Sequence, residues 1–564
     1  ATTSYAQTLT AGATTAASTT VTVASTTGLV VGAAISGSGI PAGATIVTIG
    51  TGTMTISAAA TATTTAQVFT VAQNINMGES NTGTGWTTQT INSLRNVATT
   101  TSGTTLTIAA ANTITIATGG ILYGSAVGAN SSITGGTIVP GLGKELVVFV
   151  NGNKSLTINS VLGESAAGIT DVTFRGNIGI GAGANDLVLG ANNTYTGNTY
   201  ISGLRIRTSS ASVTAPFGTG LNGNVYIYGN NGGQFLTADN VTLAARNWYI
   251  IGAGWEEGAG QPGAFHGAIR LGANTTLAGT LNLMGDASVR ATGAFATVSA
   301  KLFGNYDLTA RSGWGDGTIN FTGDNTGWAG SYTIGSGGYR FDTVANLGSP
   351  TVIQLGNYGS IIPGFAGIQA AVIDKVGYGS FGTIALRVAT QNEPLDFRSA
   401  NAAGLVLGAN ENLTYNGAFF PNVQNGQQLY RLGGGGATLT FANSITGNAA
   451  LVLTGASANN SYGTVTLNPA VAGGNTYVGG TIVGQNGPFG AVEVAAIANP
   501  WSVFGNGPIT FVSANPTFRL AAAIPSFATD PLAADMSSAA NLTAIIINGG
   551  LKFNLNRAAD TDMV

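Results

Sequence analysis

Cysteine, histidine and charge are what this chain lacks or nearly lacks. Of its 564 residues none is Cys, one is His and 7% are charged, and the net charge is -3. A catalytic triad or a zinc site would depend on His266, because no Cys or second His can join it. The 19 Lys and Arg residues are scattered, whereas phosphate binding needs clustered cations. The sequence therefore argues against a nucleic-acid partner.

Long hydrophobic runs are also missing. No stretch approaches the ~18 consecutive apolar residues of a transmembrane helix, and the best candidate, residues 361–373, contains Pro363, Gly364 and Gln369. The chain begins at Ala1 without an initiator Met, as expected after removal of a signal peptide, and the absence of Cys suits an exported protein. We therefore expect an extracellular or cell-surface location and no transmembrane segment.

Glycine is the most informative residue type that is present. The chain has 86 Gly and long Thr, Ala, Asn and Ser tracts, and its mean hydropathy of +0.28 argues against disorder. Tight corners need Gly where φ is positive, and strands need Val, Ile, Leu and Thr. Stacked strands align side chains about 4.8 Å apart, where like charges repel and Asn or Thr form hydrogen-bonded ladders. The composition therefore favours stacked β-strands.

Four segments repeat one pattern: a short apolar strand, a polar Asn/Thr/Gly turn and a second strand. The segments are residues 187–203, 323–334, 474–482 and, in a shorter form, 272–281. Each unit can bury its apolar face only against the next, so the expected product is a rod of stacked rungs, each of ~20 to 25 residues.

These repeats resemble the autotransporter-associated β-strand repeat of bacterial surface and secreted proteins. Stretches similar to the lead-in of such repeats are residues 90–94, 135–137, 156–161, 267–270, 280–286 and 430–436. The resemblance covers residues 86–564. It implies a right-handed parallel β-helix displayed outside the cell, and it implies no single biochemical activity.

The first 72 residues follow a different pattern. Short segments alternate apolar and polar residues, and a Gly/Pro turn at 37–43 separates them, which is typical of antiparallel β-structure. The predicted fold class is all-β, a right-handed parallel β-helix with a small N-terminal β module. The predicted parts are an antiparallel β-sandwich or barrel over 1–72, a linker over 73–85 and the β-helix over 86–564.

Few side chains are candidates for chemistry. His266 is interpreted as a corner residue that is dispensable for function. Glu256 and Glu257 are the only adjacent acidic pair, and sugar hydrolysis needs two carboxylates a few ångströms apart. Because the neighbouring Trp255 could stack on a sugar ring, these three residues are the candidate glycan contacts.

Calcium is the open alternative to a protein without cofactors. Asp307, Asp316 and Asp324 lie in a Gly-rich stretch and offer the hard oxygen ligands that calcium prefers. The nine-residue Gly/Asp repeat of calcium-binding β-rolls is missing from the sequence. The three aspartates are therefore kept as candidate metal ligands beside the prediction that no metal is bound.

The favoured function is a secreted bacterial structural protein, a subunit of an extracellular filament, sheath or surface layer. No acid, base and nucleophile set is evident, so we predict that the protein is not an enzyme. A β-helix ends in unpaired backbone groups, and the predicted partner is a second copy bound head to tail through the N-terminal module, which builds a filament. The alternatives are an autotransporter-type adhesin passenger and a β-helix that binds or cuts surface or matrix glycans.

Overall fold

The structure of the protein is a computed structural model. It describes residues 6–76, 85–96, 103–124, 129–151, 154–165, 168–176, 186–219, 223–255, 265–310, 317–454, 463–467, 474–484, 491–494, 504–511, 517–520, 545–547 and 552–554. The chain divides into two compact units. Unit 1 comprises Ala1–Gly263 and Ala278–Leu281, and unit 2 comprises Ala264–Leu277 and Asn282–Val564.

Unit 1 begins with an antiparallel sheet of six strands. They are β1 (Ala6–Thr14), β2 (Thr20–Thr22), β3 (Ile35–Ser36), β4 (Ile46–Gly50), β5 (Thr53–Ile56) and β6 (Thr64–Ala72). Their order is β3-β6-β1-β2-β5-β4, and a bridge between Ala34 and Thr45 joins the two edges, so the sheet curls toward a barrel. Its inward side chains, among them Val21, Ile46 and Phe69, form a core of their own, and each such buried side chain contributes about 1.5–3 kcal/mol.

The rest of unit 1 is a parallel β-solenoid. Its strands are β7 (Asn74–Asn76), β8 (Gln89–Ile91), β9 (Ser93–Asn96), β10 (Thr105–Thr107), β11 (Thr113–Ile116), β12 (Gly120–Tyr123), β13 (Ser131–Thr134), β14 (Thr137–Pro140), β15 (Leu146–Val150), β16 (Leu156–Ile158), β17 (Val161–Leu162), β18 (Val172–Gly176), β19 (Asp186–Leu189), β20 (Thr199–Ser202), β21 (Arg205–Thr208), β22 (Asn224–Tyr228), β23 (Gln234–Leu236) and β24 (Arg246–Gly252). A short 3-10 turn covers Gly229–Asn231.

These strands stack in parallel on three faces. The faces are β8-β11-β14-β17, β7-β9-β12-β15-β18-β20-β22-β24 and β10-β13-β16-β19-β21-β23. Hydroxyl groups of Thr134 and Thr107, 27 residues apart, bond between adjacent rungs, and Asn247 and Asn224 are 23 residues apart. The rungs are therefore as long as the expected ~20 to 25 residues or slightly longer.

A column of inward-facing apolar side chains holds the second face together. Aligned from rung to rung are Leu94, Ile121, Val148, Phe174, Ile201, Ile227 and Ile250. All of them are buried, and their strand neighbours point outward, because side chains alternate across a strand. The alternation read from the sequence thus becomes one continuous apolar stack.

The antiparallel sheet ends at Ala72, and the solenoid begins two residues later. Strand β7 pairs in parallel with β9, so the segment predicted as a linker over 73–85 contains a solenoid strand. Its Asn74 accepts a hydrogen bond from the amide of Asn92 at 2.6 Å and from the hydroxyl of Ser93 at 2.7 Å. Polar side chains therefore join the first two strands of this face.

Unit 2 is also a parallel β-solenoid. Its elements are β25 (Ile269–Leu271), β26 (Thr276–Leu277), β27 (Gly279–Ala291), β28 (Phe295–Val298), β29 (Lys301–Phe303), β30 (Asp307–Ala310), β31 (Thr318–Phe321), β32 (Ser331–Phe341), α1 (Val344–Leu347), β33 (Val352–Pro363), α2 (Ile368–Ala371), β34 (Thr383–Leu386), β35 (Leu395–Asp396), β36 (Val406–Ala409), β37 (Leu413–Tyr415), β38 (Phe419–Phe420), β39 (Asn422–Gln424), β40 (Gln427–Leu432), β41 (Thr438–Phe441), β42 (Ala449–Leu453), β43 (Thr464–Leu467), β44 (Thr481–Val483), β45 (Ala491–Val494), β46 (Ile509–Phe511), β47 (Thr517–Leu520), β48 (Ile545–Ile547) and β49 (Lys552–Asn554). Strand β27 begins within the part assigned to unit 1.

Two long parallel stacks run through the later part of unit 2. They are β40-β42-β44-β46-β48 and β37-β41-β43-β45-β47-β49. Short 3-10 turns cover Ile373–Lys375, Val388–Thr390 and Ala400–Ala402. The helices α1 and α2 have four residues each, and no helix in the described part of the chain is long and apolar enough to cross a membrane. The prediction of an all-β solenoid with a small N-terminal β module is confirmed.

Candidate functional site

The asparagine of the repeated segments has the same task in three copies. Its side-chain oxygen accepts a hydrogen bond, 2.8 Å long, from a backbone N–H of the preceding rung. The pairs are Asn193 with Leu162, Asn325 with Leu302 and Asn475 with Ile445. In two copies the amide also donates to a carbonyl of the following rung: Asn193 to Pro216 at 2.6 Å and Asn325 to Asn346 at 2.5 Å. Asn193 and Asn325 therefore each join three successive rungs.

A glycine of the same segments lets adjacent rungs approach closely. A Cβ added at these positions would lie inside the contact distance of a carbonyl oxygen on the preceding rung. The distance from the added Cβ to the carbonyl oxygen is 2.2 Å for Gly197 and Thr170, 2.2 Å for Gly330 and Tyr306, and 2.5 Å for Gly479 and Ala449. Sequence repetition therefore marks residues that stack one rung on another.

A buried aromatic side chain completes the motif. The Tyr195 hydroxyl is 2.8 Å from the Thr199 hydroxyl, Tyr477 bonds to Thr481 in the same way, and the Trp328 indole occupies the corresponding place in the middle copy. In the shorter fourth copy Asn274 instead adopts a φ of 54°. Three of the four predicted copies thus share the asparagine bond to the preceding rung, and two of them also share the Tyr–Thr bond.

Alkaline titration is expected to unfold the protein. Burial raises the pKa of Tyr195, Tyr332 and Tyr477 well above that of an exposed phenol. Below pH ~10 these phenols are protonated in the folded and the unfolded chain alike, so this contribution to stability is fully present. Above it only the unfolded chain releases the protons, and the free energy of unfolding falls by about 1.4 kcal/mol per pH unit for each tyrosine.

The measurement follows tyrosinate absorbance and circular dichroism together as the pH rises. The buried phenols are expected to ionise only when the strand signal is lost. Phenols that all titrate near pH ~10 while the strand signal stays unchanged would show that these rings are accessible in the folded chain.

Trp255, a candidate glycan contact, lies inside unit 1. Its side chain is 7% exposed, and the guanidinium of Arg205 lies 5.4 Å from its ring centre. Arg205 is held there by the buried carboxylate of Asp186, at 2.6 Å. The ring face that Arg205 covers is a cation–π contact rather than an open platform. Glu256 and Glu257 lie outside the described residues.

His266 is half-buried in unit 2 beside an arginine. Its Nδ1 is 3.2 Å from Nη1 of Arg290, and the same guanidinium nitrogen donates to the carbonyl oxygen of Phe265 at 2.5 Å. Arg290 itself is 2% exposed. The histidine thus lies against a buried guanidinium, and its expected dispensability for function stays a prediction.

The aspartates considered for calcium make local bonds. The Asp307 carboxylate accepts from the Ser331 hydroxyl at 3.0 Å. Asp324 accepts from the hydroxyl and the backbone N–H of Thr326, and these bonds lower the pKa of its carboxyl. Asp316 lies outside the described residues, and within the described ranges no three His, Cys, Asp or Glu residues cluster as metal ligands do.

Two carboxylates that are distant in sequence bind the same arginine in unit 2. Arg387 bonds to Asp342 and, through Nη2 at 2.5 Å, to Glu411. Burial alone would raise the pKa of Glu411, but the Val388 N–H and the Arg387 guanidinium outweigh it, so this pKa is lowered. A glycosidase general acid needs a raised pKa. Here both carboxylates are instead ion-paired with the same arginine, Arg387.

A cavity of about 440 Å³ lies in unit 1 between the antiparallel module and the first solenoid face, and most of its lining side chains are neutral. Its walls include Thr45, Thr70, Thr90 and Thr115, and Lys144 is the one charged side chain among its lining residues. The other lining residues carry hydroxyl groups, one amide (Gln89) or small or apolar side chains. The cavity resembles a gap between two packed sheets more than a ligand site with convergent polar groups.

The outer surface of β20, β22 and β24 carries a pattern that the sequence analysis missed. The tripeptide Asn-x-Tyr occurs in three successive rungs, as residues 198–200, 224–226 and 247–249. Tyr200, Tyr226 and Tyr249 are aligned from rung to rung and half-buried. Their ring centres are 5.1 and 4.9 Å apart, with planes inclined by 8° and 25°. We call these three residues and their asparagines the tyrosine face.

The asparagines of this face form a ladder beside the rings. The Asn247 amide donates to the side-chain oxygen of Asn224 at 3.2 Å, and the Asn198 side-chain oxygen accepts from the Asn224 backbone N–H at 3.0 Å. Asn224 also donates to the Tyr226 hydroxyl oxygen at 3.0 Å. A search for Asn-x-Tyr spaced by one rung would have found this surface.

Fold and site define the chain as a β-solenoid protein. Comparison with protein-family models, with curated proteins and with solved structures gives no match in any of the three. Its function is therefore argued from its own geometry.

Proposed function

We propose that this protein is a structural rod, exported from a bacterial cell and used as a subunit of an extracellular filament, sheath or surface layer. One observation carries the proposal. The residues that the sequence repeats, namely an asparagine, a glycine and a buried aromatic, all serve to stack rungs. Rigid stacking of β rungs is the property that a load-bearing or spacing element requires.

Self-association is supported by the chemistry of the surface. Only 7% of the residues are charged and the net charge is -3, so copies approach one another with little electrostatic repulsion. Parallel stacking of rungs through backbone bonds and asparagine ladders can continue from one chain to another by the same contacts. A repeated head-to-tail contact of this type generates a filament instead of a closed dimer.

Electron microscopy of the purified chain tests the proposal. We expect filaments or sheets whose amount rises with protein concentration between nanomolar and micromolar. The isolated N-terminal module, residues 1–72, has its own apolar core and is expected to bind the growing end and shorten the filaments when added in excess. An equal excess of an unrelated small β protein serves as the control.

Single rods at every concentration, with no change on adding the module, would contradict polymer formation. The protein would then act as a monomeric passenger, and the adhesin alternative would take the place of the structural one. The glycan-binding alternative is favoured by a separate observation, the tyrosine face, and does not depend on this outcome.

A further inference from the structure

Rung stacking does not require the tyrosines of the tyrosine face. In the same column of outward positions the two preceding rungs carry Val147 and Thr173, with the same parallel register. The inward residues of all these rungs are equally buried. The row of three aligned aromatic rings is therefore a feature of the outer surface that packing of the solenoid core does not explain.

The rings of this face stack on one another with nearly parallel planes. Carbon atoms in contact lie about 3.5–4.0 Å apart, whereas the centres of Tyr200 and Tyr226 are 5.1 Å apart with planes only 8° from parallel. Rings that are in contact at this centre distance are displaced sideways, which is the offset arrangement that aromatic pairs prefer. Each of the three tyrosines is half-buried, so part of its side chain lies at the surface.

One asparagine of the face orients the middle phenol group. Because Asn224 donates to the Tyr226 oxygen, the hydroxyl hydrogen of Tyr226 is left to donate outward. The face thus offers a regular series of apolar ring surfaces, O–H donors and amide groups that are oriented before any ligand arrives, and such preorganisation lowers the cost of binding.

Charge is absent from the tyrosine face itself. The outward positions of its three rungs are occupied by Asn198, Tyr200, Ser202, Asn224, Tyr226, Tyr228, Asn247, Tyr249 and Ile251. Burial raises the pKa of Tyr200, and Asp171 adds to the effect, so this phenol stays neutral. The preceding rung carries two charged residues near this face: Asp171, which accepts the Asn198 backbone N–H at 2.7 Å, and the exposed Arg175, which is aligned with Ser202.

We propose that the tyrosine face binds a neutral polysaccharide that lies along the solenoid axis. Sugar rings have apolar C–H surfaces that pack on aromatic rings and hydroxyl groups that bond to phenols and amides. The ring spacing of 4.9 to 5.1 Å is close to the length of one pyranose unit in an extended chain. A polyanion would find no cation among the residues of this face and a single one, Arg175, on the preceding rung, and a second copy of the chain would not need its row of O–H donors.

Retention on immobilised polysaccharides tests this proposal with the full chain. The neutral probes are cellulose, chitin and a β-1,3-glucan, and polygalacturonate is the anionic control. We expect retention on at least one neutral probe, insensitive to salt because no charge pairing is involved. Tyr226→Ala is expected to weaken the affinity about three- to tenfold, and Tyr226→Phe, which keeps the ring, to weaken it less.

Tyr378→Ala is the matched control, because this tyrosine is 82% exposed and lies in unit 2. Its affinity is expected to equal that of the unmodified chain. Failure of all three neutral probes would overturn the proposal, as would equal losses for Tyr226→Ala and Tyr378→Ala. Loss of self-association in Tyr226→Phe without any polysaccharide retention would assign the face to a contact between copies. The Tyr226→Phe variant keeps the test valid if Tyr226→Ala does not fold.

Discussion

Replacing Asn325 by alanine is expected to lower the free energy of unfolding of its rungs by about 2–4 kcal/mol. The substitution removes both bonds of the side chain, so the buried N–H of Leu302 and the carbonyl oxygen of Asn346 lose their partner at once. The buried N–H left without a hydrogen bond costs about 1–3 kcal/mol, and the part-buried carbonyl oxygen adds a smaller cost. Since natural domains are stable by only about 5–15 kcal/mol, this single change threatens the unit.

Denaturation in guanidinium chloride, followed by circular dichroism, measures the effect. Asn392 is an exposed asparagine of the same unit, and Asn392→Ala is expected to change the stability by no more than about 0.5 kcal/mol. Asn325→Asp keeps an acceptor for Leu302 but loses the donor to Asn346, and it is expected to be almost as harmful as alanine. Equal midpoints for Asn325→Ala and Asn392→Ala would refute the proposed role of this asparagine.

Replacing Gly330 by alanine is expected to cost about 3 kcal/mol or more. The new methyl group would lie 2.2 Å from the Tyr306 carbonyl oxygen and 2.4 Å from the ring of Trp328. Neither the backbone oxygen nor a buried indole can move aside without separating two rungs, and overpacking of this kind strains cores by about 1–3 kcal/mol, occasionally more. If the two rungs separate to make room for the methyl group, the contacts between them are weakened as well.

Gly327, three residues earlier in the same repeat, supplies the control. A Cβ at Gly327 would meet nothing within 4 Å, so Gly327→Ala is expected to be neutral or to stabilise by about 0.4–1 kcal/mol through the entropy of the unfolded chain. Thermal unfolding of the two variants side by side gives the answer. A Gly330→Ala protein as stable as Gly327→Ala would mean that adjacent rungs do not approach as closely as the structure shows.

The class of fold could be read from the sequence because its determinants are local. Alternation of apolar and polar residues places one face of each strand inward, and corner glycines and the asparagine turns recur within each repeat. The segments around Asn193, Asn325 and Asn475 are recognisable as copies from their residues alone. The stack of Ile201, Ile227 and Ile250 follows from the same alternation once the strands are parallel.

The candidate sites could not be read in that way. Trp255 looked like a surface ring beside two acids, and only the packing of β21 puts Arg205 over it. The pairing of Asp342 with Glu411 through Arg387 joins residues from separate rungs. Contacts of this kind depend on which rung faces which, and linear spacing alone does not carry that information.

By itself the sequence determined a charge-poor, cysteine-free chain of stacked β rungs, since strand alternation, turn residues and repetition act over a few neighbours. Tertiary structure decided the register, that is, which residues some 23 to 27 positions apart lie side by side. The three Asn-x-Tyr tripeptides become one surface only through this register. Its physical basis is the parallel backbone ladder, which converts a long sequence separation into a spacing of about 4.8 Å.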